Sequence, residues 1–293
     1  MEFPKELLSK LLQTKDDDLL DEFPGFRRSQ LRKIKKTLVY KPTLPKILIF
    51  DIETAPLEVY AWGLWEQNIS PDQIINDWFI LTWSAKWLFS PNVIAHRLTG
   101  KEAKQKDDRR IVKELWKVID EADIVVAHNG DAFDVKKMNA RFLKYGLTYP
   151  SPYRTIDTLK IARKEFSVSS NKLDYLCKFV GLPNKINTGG FELWKRCIGG
   201  DEEALLKMDI YCQNDVRILE DMYLKLRPYI HSHPNVSLYM ESDKDLCPNC
   251  GSDNLKWSYV YSTISSQYQS AQCQCGAYVR KPKSIKSTKV KVV

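Results

Sequence analysis

The chain has 293 residues, a net charge of +8, 43% hydrophobic residues, 14 Pro and 12 Gly, which is the composition of an ordinary globular protein. This composition excludes the collagen-like, disordered and membrane-spanning classes, because no segment approaches the ~18 consecutive apolar residues that a spanning helix needs. The acidic N-terminus also lacks the basic and then apolar pattern of a secretory signal. We therefore expect a cytosolic protein, of a bacterium or of a phage-infected host.

The positive charge is concentrated in two segments. Residues 27–46 contain eight Lys and Arg, residues 276–293 contain six, and neither segment contains an acid. Removing these fourteen charges from the net +8 leaves −6 for the rest of the chain. Basic ends favour a polyanionic partner such as nucleic acid, whereas the alternative is a solvated surface that keeps the protein soluble.

The first segment, residues 1–45, is predicted to form short helices. The last of them begins near Ser29, which can cap it, and continues to Leu38 with apolar residues on one face and basic residues on the other. The Phe-Pro-Gly turn at residues 23–25, before this basic helix, resembles the helix-turn-helix units of phage and homing-nuclease proteins. That resemblance implies phosphate contacts by the helix. The alternative is a helix packed on the next domain with a solvated basic face.

Residues 46–235 are predicted to form one α/β domain. The segment from Ile47 to Glu53 is mostly apolar on both faces, as in the central strand of a covered sheet, and its neighbours are predicted at residues 80–89 and 93–99. The later elements are a buried strand and five helices, at residues 123–127 and at 110–122, 131–145, 156–166, 171–180 and 201–226. This order predicts a mixed β-sheet flanked by helices.

The seven cysteines form two groups. Cys177, Cys197 and Cys212 lie apart in helical sequence and are predicted to be small core residues. The remaining four follow the pattern Cys-x2-Cys and Cys-x-Cys, which in a reducing compartment predicts one tetrahedral zinc site. The predicted zinc ligands are Cys247, Cys250, Cys273 and Cys275.

These cysteines place a zinc ribbon over residues 243–280, with strands at 257–262 and 268–272. A unit this small has too few apolar residues to fold by burial alone, so the Zn²⁺ is predicted to be structural. Residues 281–293 are predicted to be a disordered basic tail. The ribbon could bind nucleic acid or a partner protein, and the adjacent basic residues favour nucleic acid.

Three groups of carboxylates stand out in the α/β domain. Asp51 and Glu53 project from the same face of a strand, where their repulsion at ~5 Å would cost about 3 kcal/mol and a bound dication would offset it. Asp134 follows a strand-to-helix junction, where ligands often bind in α/β folds. Tyr211 and Asp215 lie one turn apart on a helix. Each group alone has an ordinary alternative: a strand end, acids at a helix N-terminus with Asp131 as the cap, and a surface helix face.

In combination, Asp51-x-Glu53, Asn129-x3-Phe133-Asp134 and Tyr211-x3-Asp215 resemble the DEDD exonucleases of the ribonuclease-H-like superfamily. The tyrosine indicates the branch that includes the proofreading domains of DNA polymerases, since the sister branch has a histidine there. The Phe-Asp-Ile-Glu-Thr and Asn-x3-Phe-Asp forms are most similar to the family B polymerase version. The resemblance covers about residues 46–229 and includes no polymerase domain, which implies a free-standing nuclease.

The resemblance implies a ribonuclease-H-like fold and a metal-dependent 3′→5′ exonuclease that releases nucleoside 5′-monophosphates from DNA, with single-stranded or frayed 3′ ends preferred. It implies two catalytic Mg²⁺ or Mn²⁺ ions held by Asp51, Glu53, Asp134 and Asp215. Tyr211 would orient the attacking water. The residues implied to contact the terminal nucleotide are Thr54, Asn129 and Phe133.

Two other functions stay open at this stage. One keeps the same site but takes RNA, because nothing in these motifs reads the 2′-hydroxyl. The other is a nucleic-acid-binding adaptor that uses the ribbon and the N-terminal helices, with the central domain as a scaffold. The intact carboxylate set favours an enzyme.

The sequence also predicts roles for several residues near these motifs. Trp62 and Trp65, in an irregular polar segment, are the better candidates for stacking on bases. The three tryptophans in strand-like sequence at positions 78, 83 and 87 are predicted to pack in the core. Asp157 is predicted to cap a helix.

Overall fold

The computed structural model describes residues 44–183, 186 and 189–289. The predicted helix-turn-helix and almost all of the N-terminal helical segment, and the last four residues of the predicted tail, lie outside the described residues. Residues 45–238 and 242–289 belong to one compact unit, which is the unit described below. Within the described residues, no helix is both long enough and apolar enough to span a membrane.

The central sheet has five strands in the order β5-β4-β1-β6-β7, with β1 in the middle. β1 pairs antiparallel with β4 and parallel with β6, β4 pairs antiparallel with β5, and β6 pairs parallel with β7. These strands are β1 (Ile47–Thr54), β4 (Ile80–Trp87), β5 (Ile94–Arg97), β6 (Ile124–Ala127) and β7 (Arg154–Asp157). The predicted mixed sheet flanked by helices is confirmed.

Two smaller sheets and seven helices complete the described part of the chain. β2 (Glu58–Val59) pairs with β3 (Ile74–Asn76), and a C-terminal sheet in the order β10-β9-β8 consists of β8 (Leu255–Ser262), β9 (Ser266–Cys273) and β10 (Tyr278–Ser287). The helices are α1 (Gly100–Gln105), α2 (Arg109–Asp120), α3 (Asp134–Lys144), α4 (Thr158–Glu165), α5 (Leu173–Phe179), α6 (Glu192–Ile198) and α7 (Glu202–Leu226). Short 3₁₀ turns occur at Pro71–Gln73, Arg227–Tyr229 and Val236–Tyr239.

The alternation of β1 decides which side chains reach the core and which reach the site. Leu48, Phe50 and Ile52 point to one face and join a core cluster that includes the buried side of α2. Asp51 and Glu53 point to the opposite face, which α7 covers. The central strand therefore buries apolar residues on one side while it presents carboxylates to a helix on the other.

Several predicted packing roles are confirmed. Cys177, Cys197 and Cys212 are fully buried. Trp83 is also fully buried and donates from Nε1 to the carbonyl oxygen of Ile111 at 2.7 Å. The other two strand tryptophans, at positions 78 and 87, pack against the same core.

The structure differs from the sequence prediction at five places. β7 occupies the start of the predicted helix at 156–166, and the short helices α1 and α6 were not predicted. α3 begins at Asp134, with Phe133 at the N-cap, so the prediction that Asp131 caps this helix is wrong; the Asp131 carboxylate instead accepts from Lys160 Nζ at 2.7 Å. Residues 281–287, predicted as part of a disordered tail, belong to β10 because they complete the ladder with β9.

Candidate active site

Asp51, Glu53 and Asp215 bring one carboxylate oxygen each to within 4.8 Å of one another. The first two come from neighbouring positions on one face of β1, and the third comes from the middle of α7, where it is 2% exposed. Two oxygens on opposite sides of one Mg²⁺ are about 4.2 Å apart, given Mg–O distances of 2.0–2.1 Å. The size and the hard oxygen donors of this group, called here the carboxylate cluster, therefore fit a divalent cation.

Asp134 lies beside the carboxylate cluster but is not a member of it. Its Oδ1 accepts a hydrogen bond from the backbone N of Ile52 at 3.2 Å, between the two carboxylates of β1. The pairing of β1 with β6 ends at the pair Ile49 and Val126. Beyond that pair, the backbone of β1 can therefore form a hydrogen bond with α3 instead. The first turn of α3 thus satisfies a buried donor of the central strand and fixes Asp134 next to the cluster.

Tyr211 stands one helical turn before Asp215 on α7 and is half-buried. Because residues four apart lie on the same face of a helix, its phenol faces the same side as the Asp215 carboxylate. The structure therefore groups three of the four predicted carboxylates, fixes Asp134 on β1 between two of them, and has Tyr211 one helical turn from Asp215.

Cys212 is a member of this site that the sequence prediction assigned only to the core. Its Sγ lies 3.5 Å from the carbonyl oxygen of Asp51 and 3.6 Å from Asp51 Oδ2. Burial raises the pKa of the Cys212 thiol well above its ordinary value, and the negative charges of Asp51 and Glu53 add to this rise. The side chain therefore acts here as a neutral S–H donor to Asp51.

The turn before α3 positions Asn129 and Phe133. Asn129 has a φ of +68°, a left-handed conformation that asparagine tolerates better than most residues. Asp157 holds this turn by accepting from Asn129 N at 2.9 Å, and it also caps α4 by accepting from Leu159 N at 3.0 Å. The predicted cap is confirmed, and its second hydrogen bond gives Asp157 a positioning role that depends on the β6–β7 pairing. Phe133 remains 38% exposed beside the cluster.

A cavity of about 580 Å³ lies next to the carboxylate cluster. Its first lining residue in the sequence directly follows Glu53. Thr54 lines it, together with the aromatic side chains of Trp78, Phe191 and Trp194. Lys137 Nζ lies 3.7 Å from the ring centroid of Trp78, and burial lowers the pKa of Lys137. The cavity therefore offers aromatic faces and one cation beside the carboxylates.

Trp62 and Trp65 do not line this cavity. They are 97% and 83% exposed on the segment between β2 and β3. The aromatic residues that do line the cavity come from the segment just before β4 and from α6 with the residue before it, and the sequence prediction missed α6. An aromatic pair in the pattern Phe191-x2-Trp194 at a short helix was the available signal.

The four predicted zinc ligands also converge. The Sγ atoms of Cys247, Cys250, Cys273 and Cys275 all lie within 4.8 Å of one another, and the pairs 247–275 and 250–273 are 3.8 and 3.5 Å apart. Sulfurs at 2.3 Å from a tetrahedral Zn²⁺ are about 3.8 Å apart. A hydrogen bond from Cys247 lowers the pKa of Cys250 and raises that of Cys247, so Cys250 is the member of this pair that favours a thiolate. The group therefore could bind a metal with the donor set of a structural zinc site.

This cysteine group is attached to the end of α7. Asn249 Nδ2 donates to the carbonyl oxygen of Arg227 at 3.0 Å, and Val236 N donates to the carbonyl oxygen of Pro248 at 2.7 Å. Gly276, with a φ of +89°, approaches Pro228 so closely that an added Cβ would lie 3.1 Å from the proline ring. The cysteine group thus packs directly on the domain that holds the carboxylate cluster.

Comparisons with known proteins agree with this architecture. A family model of the RNase H superfamily matches residues 92–227, which include Asp134 and Asp215. Asp51 and Glu53 precede the match and are joined to it by the pairing of β1 with β4 and β6.

Two DNA polymerases are similar to parts of the chain. The PolC-type DNA polymerase III of Ureaplasma parvum serovar 3 (strain ATCC 700970) is 38% identical over 72 residues, which are 25% of this chain and 5% of the polymerase. The family B DNA polymerase from the hyperthermophilic archaeon Pyrobaculum calidifontis is 15% identical, with a TM-score of 0.48, and the similarity covers 77% of this chain and 33% of that one. The chain thus spans a small part of either polymerase. The match over residues 92–227 and the mixed sheet flanked by helices are consistent with an RNase H-like fold.

Proposed function

We propose that this protein is a metal-dependent 3′→5′ exonuclease that hydrolyses DNA and releases nucleoside 5′-monophosphates. The observation that carries the proposal is the meeting of Asp51, Glu53 and Asp215 within 4.8 Å, with Asp134 and Tyr211 beside them. RNase H-like nucleases use divalent metals, and the similarity to the PolC-type DNA polymerase favours DNA as the substrate. A cluster of this kind beside an aromatic cavity suits a terminal nucleotide better than an internal one.

In this proposal the residues of the chain bind and orient the reactants. Asp51, Glu53, Asp134 and Asp215 would hold two Mg²⁺ or Mn²⁺ ions, which prefer carboxylate oxygen. When bound, such ions lower the pKa of a water and neutralise charge on the leaving 3′-oxygen. Tyr211 would orient the attacking water from its position one turn before Asp215. The thiol of the buried cysteine at position 212 would keep Asp51 in place.

The terminal nucleotide would lie between two groups of side chains. Thr54 and the aromatic cavity would receive it on one side, and Asn129 and Phe133 would contact it on the other. Lys137 would supply a positive charge near its phosphate. The four-cysteine group would hold one structural Zn²⁺, and the ribbon and the nuclease would act within one protein in a cytosolic compartment.

Labelled oligonucleotides test the direction and the substrate. With Mg²⁺ or Mn²⁺, we expect a 5′-labelled single strand to give a ladder of shortened products, and a 3′-labelled strand to release mononucleotide at once. Matched DNA and RNA strands and duplexes then rank the substrates, and a preference for RNA would change the proposal to an exoribonuclease. Intact substrates under all these conditions would refute a nuclease and leave the adaptor hypothesis.

A pair of matched variants on α7 links the activity to the site. Asp215→Asn removes one carboxylate of the cluster and should reduce kcat by about a thousand-fold or more, because the metal ligands act as a unit. Asp221→Asn makes the same chemical change on the same helix outside the cluster and should leave kcat unchanged. Equal activities of the two variants would contradict the assignment.

A further inference from the structure

The outward face of the C-terminal sheet carries four tyrosines and one arginine. Cross-strand register places Tyr259 opposite Ser270, Tyr261 opposite Tyr268, and Arg280 also opposite Ser270. Residues directly opposite each other in a sheet share a face, as do residues two apart in one strand. We call this set the tyrosine face; its members are Tyr259, Tyr261, Tyr268, Tyr278 and Arg280.

A β-bulge creates this face. Between Trp257 and Tyr259 the chain of β8 advances two residues while its partner strand advances only one, from Ala271 to Ser270. Trp257 therefore points to the same side as Ala271, towards the cysteine group, whereas Tyr259 and the residue two positions later point to the other side. Without the bulge, the tyrosines of β8 would share the face that packs on the metal site.

The side chains of the tyrosine face are held in place by contacts with one another. The guanidinium carbon of Arg280 lies 3.9 Å from the ring centroid of Tyr268 and 5.8 Å from that of Tyr261. Tyr259 and Tyr278 make an edge-to-face contact with their centroids 5.3 Å apart. Tyr261 and Tyr278 are nevertheless 51% and 62% exposed, so large ring surfaces remain open to a partner.

The charge of the C-terminal sheet identifies the kind of partner. Strands β8, β9 and β10 contain no acidic residue, and they contain five cations, Lys256, Arg280, Lys281, Lys283 and Lys286. A partner that matches this surface carries dense negative charge and flat rings that can stack. Unpaired nucleotides have both, whereas the bases of a duplex are already stacked and paired. An acidic peptide would match the charge but would leave the rings without stacking partners.

We propose that the tyrosine face binds single-stranded nucleic acid, with bases stacked on Tyr261 and Tyr278 and phosphates beside Arg280. This surface lies outside the carboxylate cluster and its cavity. This inference rests on the proposed exonuclease function, because it gives the enzyme a second surface that binds its substrate. It can nevertheless be tested without turnover, because binding of an uncleaved strand is measured separately.

Fluorescence anisotropy with the full chain tests the proposal directly. The probe is a fluorescein-labelled dT20 strand, the background is Asp215→Asn to prevent cleavage, and zinc content is checked without added chelator. Tyr261→Ala and Tyr278→Ala should each raise Kd about ten-fold, because stacking on an aromatic side chain contributes substantially per base. Tyr261→Phe, which keeps the ring, should bind as tightly as the parent.

Two control variants separate this face from general effects. Val260→Ala changes an exposed apolar residue on the opposite side of β8 and should leave Kd unchanged. Lys286→Ala removes the same charge as Arg280→Ala but lies opposite Gln267, on the other face, and should weaken binding less. Equal effects of Tyr261→Ala and Val260→Ala, or of the two cation variants, would overturn the proposal, as would tighter binding of duplex than of single strand.

Photocrosslinking gives a second readout that needs no substitution. A strand that contains 5-iodouracil should crosslink to peptides of β8 and β10 that contain Tyr261 and Tyr278. Crosslinks confined to the cavity beside Glu53 would contradict the proposal. Binding through the tyrosine face without any hydrolysis would refute the proposed exonuclease alone, and hydrolysis without such crosslinks would refute this inference alone.

Discussion

Asp108 shows how one buried carboxylate can fix the entrance of the candidate site. It is fully buried, its Oδ2 accepts from Ile80 N at 2.8 Å at the start of β4, and its Oδ1 binds both the Arg141 guanidinium and the Tyr145 hydroxyl. Arg141 also donates to the carbonyl oxygen of Trp78 at 3.2 Å. Burial raises the pKa of Tyr145 to about 12, which keeps its phenol protonated as a donor. Trp78 therefore owes its position in the cavity wall to this network.

Removing the Asp108 carboxylate should strongly reduce the free energy of unfolding. Asp108→Ala leaves the Arg141 charge buried without its anion, and breaking a buried pair in this way costs about 3–5 kcal/mol of unfolding free energy. Tyr145→Phe removes one neutral donor and should cost only about 1 kcal/mol. Urea unfolding measures both values, with Asp107→Asn as the control, because this exposed residue keeps an oxygen that can accept from Arg109 N. A loss below about 1 kcal/mol for Asp108→Ala would contradict the structural role given to it.

The place of a residue could be predicted from the sequence where a single motif contained the functional side chains. Asp51 and Glu53 interrupt an apolar strand, so their burial on one face was predictable from alternation alone. The role of Cys212 could not be predicted from the sequence. Nothing in the sequence around this helical cysteine indicates that it contacts a carboxylate 161 positions earlier in the chain. The same holds for the contact between Asp157 and Asn129, which requires the pairing of β6 with β7.

Elements were predictable where they had a clear period or a continuous apolar run, and the run of the four-residue strand β6 was enough to predict it. The long helix α7 and the buried strand β1 have strong periodicity, whereas β7, α1 and α6 have four to seven residues and too few turns to show a period. α1 still had a local signal, since Thr99 and Glu102 form a capping box at its start. The last strand, β10, contains Pro282 and many lysines, and its strand structure depends on β9 rather than on its own propensity.

The start of α1 gives a prediction for acid stability. Glu102 caps the helix and receives two hydrogen bonds of 2.8 Å from Arg110, which lower the pKa of Glu102 from 4.5 to about 2. Because the folded-state pKa lies below the unfolded one, this stabilisation is complete above pH 4.5 and is lost as the pH falls towards 2. We expect about 1 kcal/mol, since Arg110 is half-exposed and solvent screens the pair.

Glu102→Gln isolates this effect. The variant should be less stable than the parent at about pH 6 and should approach it at about pH 2.5, as measured by chemical unfolding across this range. Glu121→Gln, which breaks a more exposed pair with Lys46, is the matched control and should change stability little at either pH. A difference between Glu102→Gln and the parent that grew on acidification would have the wrong sign.

The C-terminal sheet gives a prediction for metal removal. Its buried cluster contains little more than Cys247, Cys273 and Ala277, so the sheet lacks the apolar core that would hold it without metal. We expect one zinc per chain in elemental analysis, and Cys250→Ser should reduce this content and expose β8–β10 to proteolysis. Cys177→Ser, at an isolated buried position, should keep the zinc. Full zinc content in Cys250→Ser would contradict the four-thiolate site.

At the scale of the whole molecule, α7 joins the two candidate sites. Asp215 lies in its middle, and Arg227, directly after its last residue, accepts the hydrogen bond from Asn249 of the cysteine group. Twelve residues at 1.5 Å each separate these positions by about 18 Å along the helix axis. The basic residues of β10 are therefore built into a folded unit that packs on the α/β domain. For this reason, point substitutions test their role better than a deletion of residues 276–293, which would remove a strand.

This spacing predicts how activity depends on substrate length. A stacked strand advances about 3.4 Å per nucleotide, so roughly five nucleotides are needed to reach from the carboxylate cluster to the end of α7. If the tyrosine face holds the same strand that the cluster cleaves, KM should rise about ten-fold when the substrate is shortened from about twenty nucleotides to about four. kcat should change little, because the terminal nucleotide meets the same side chains in both cases.

The variant Tyr261→Ala completes this test. Without the second contact, the twenty-nucleotide substrate should have the high KM of the short one, and the short substrate should be unaffected by the substitution. Steady-state kinetics on both lengths, with Val260→Ala as the control, measure this difference. A parent enzyme with equal KM for both lengths would show that the tyrosine face does not hold the strand being cleaved, whatever else it binds.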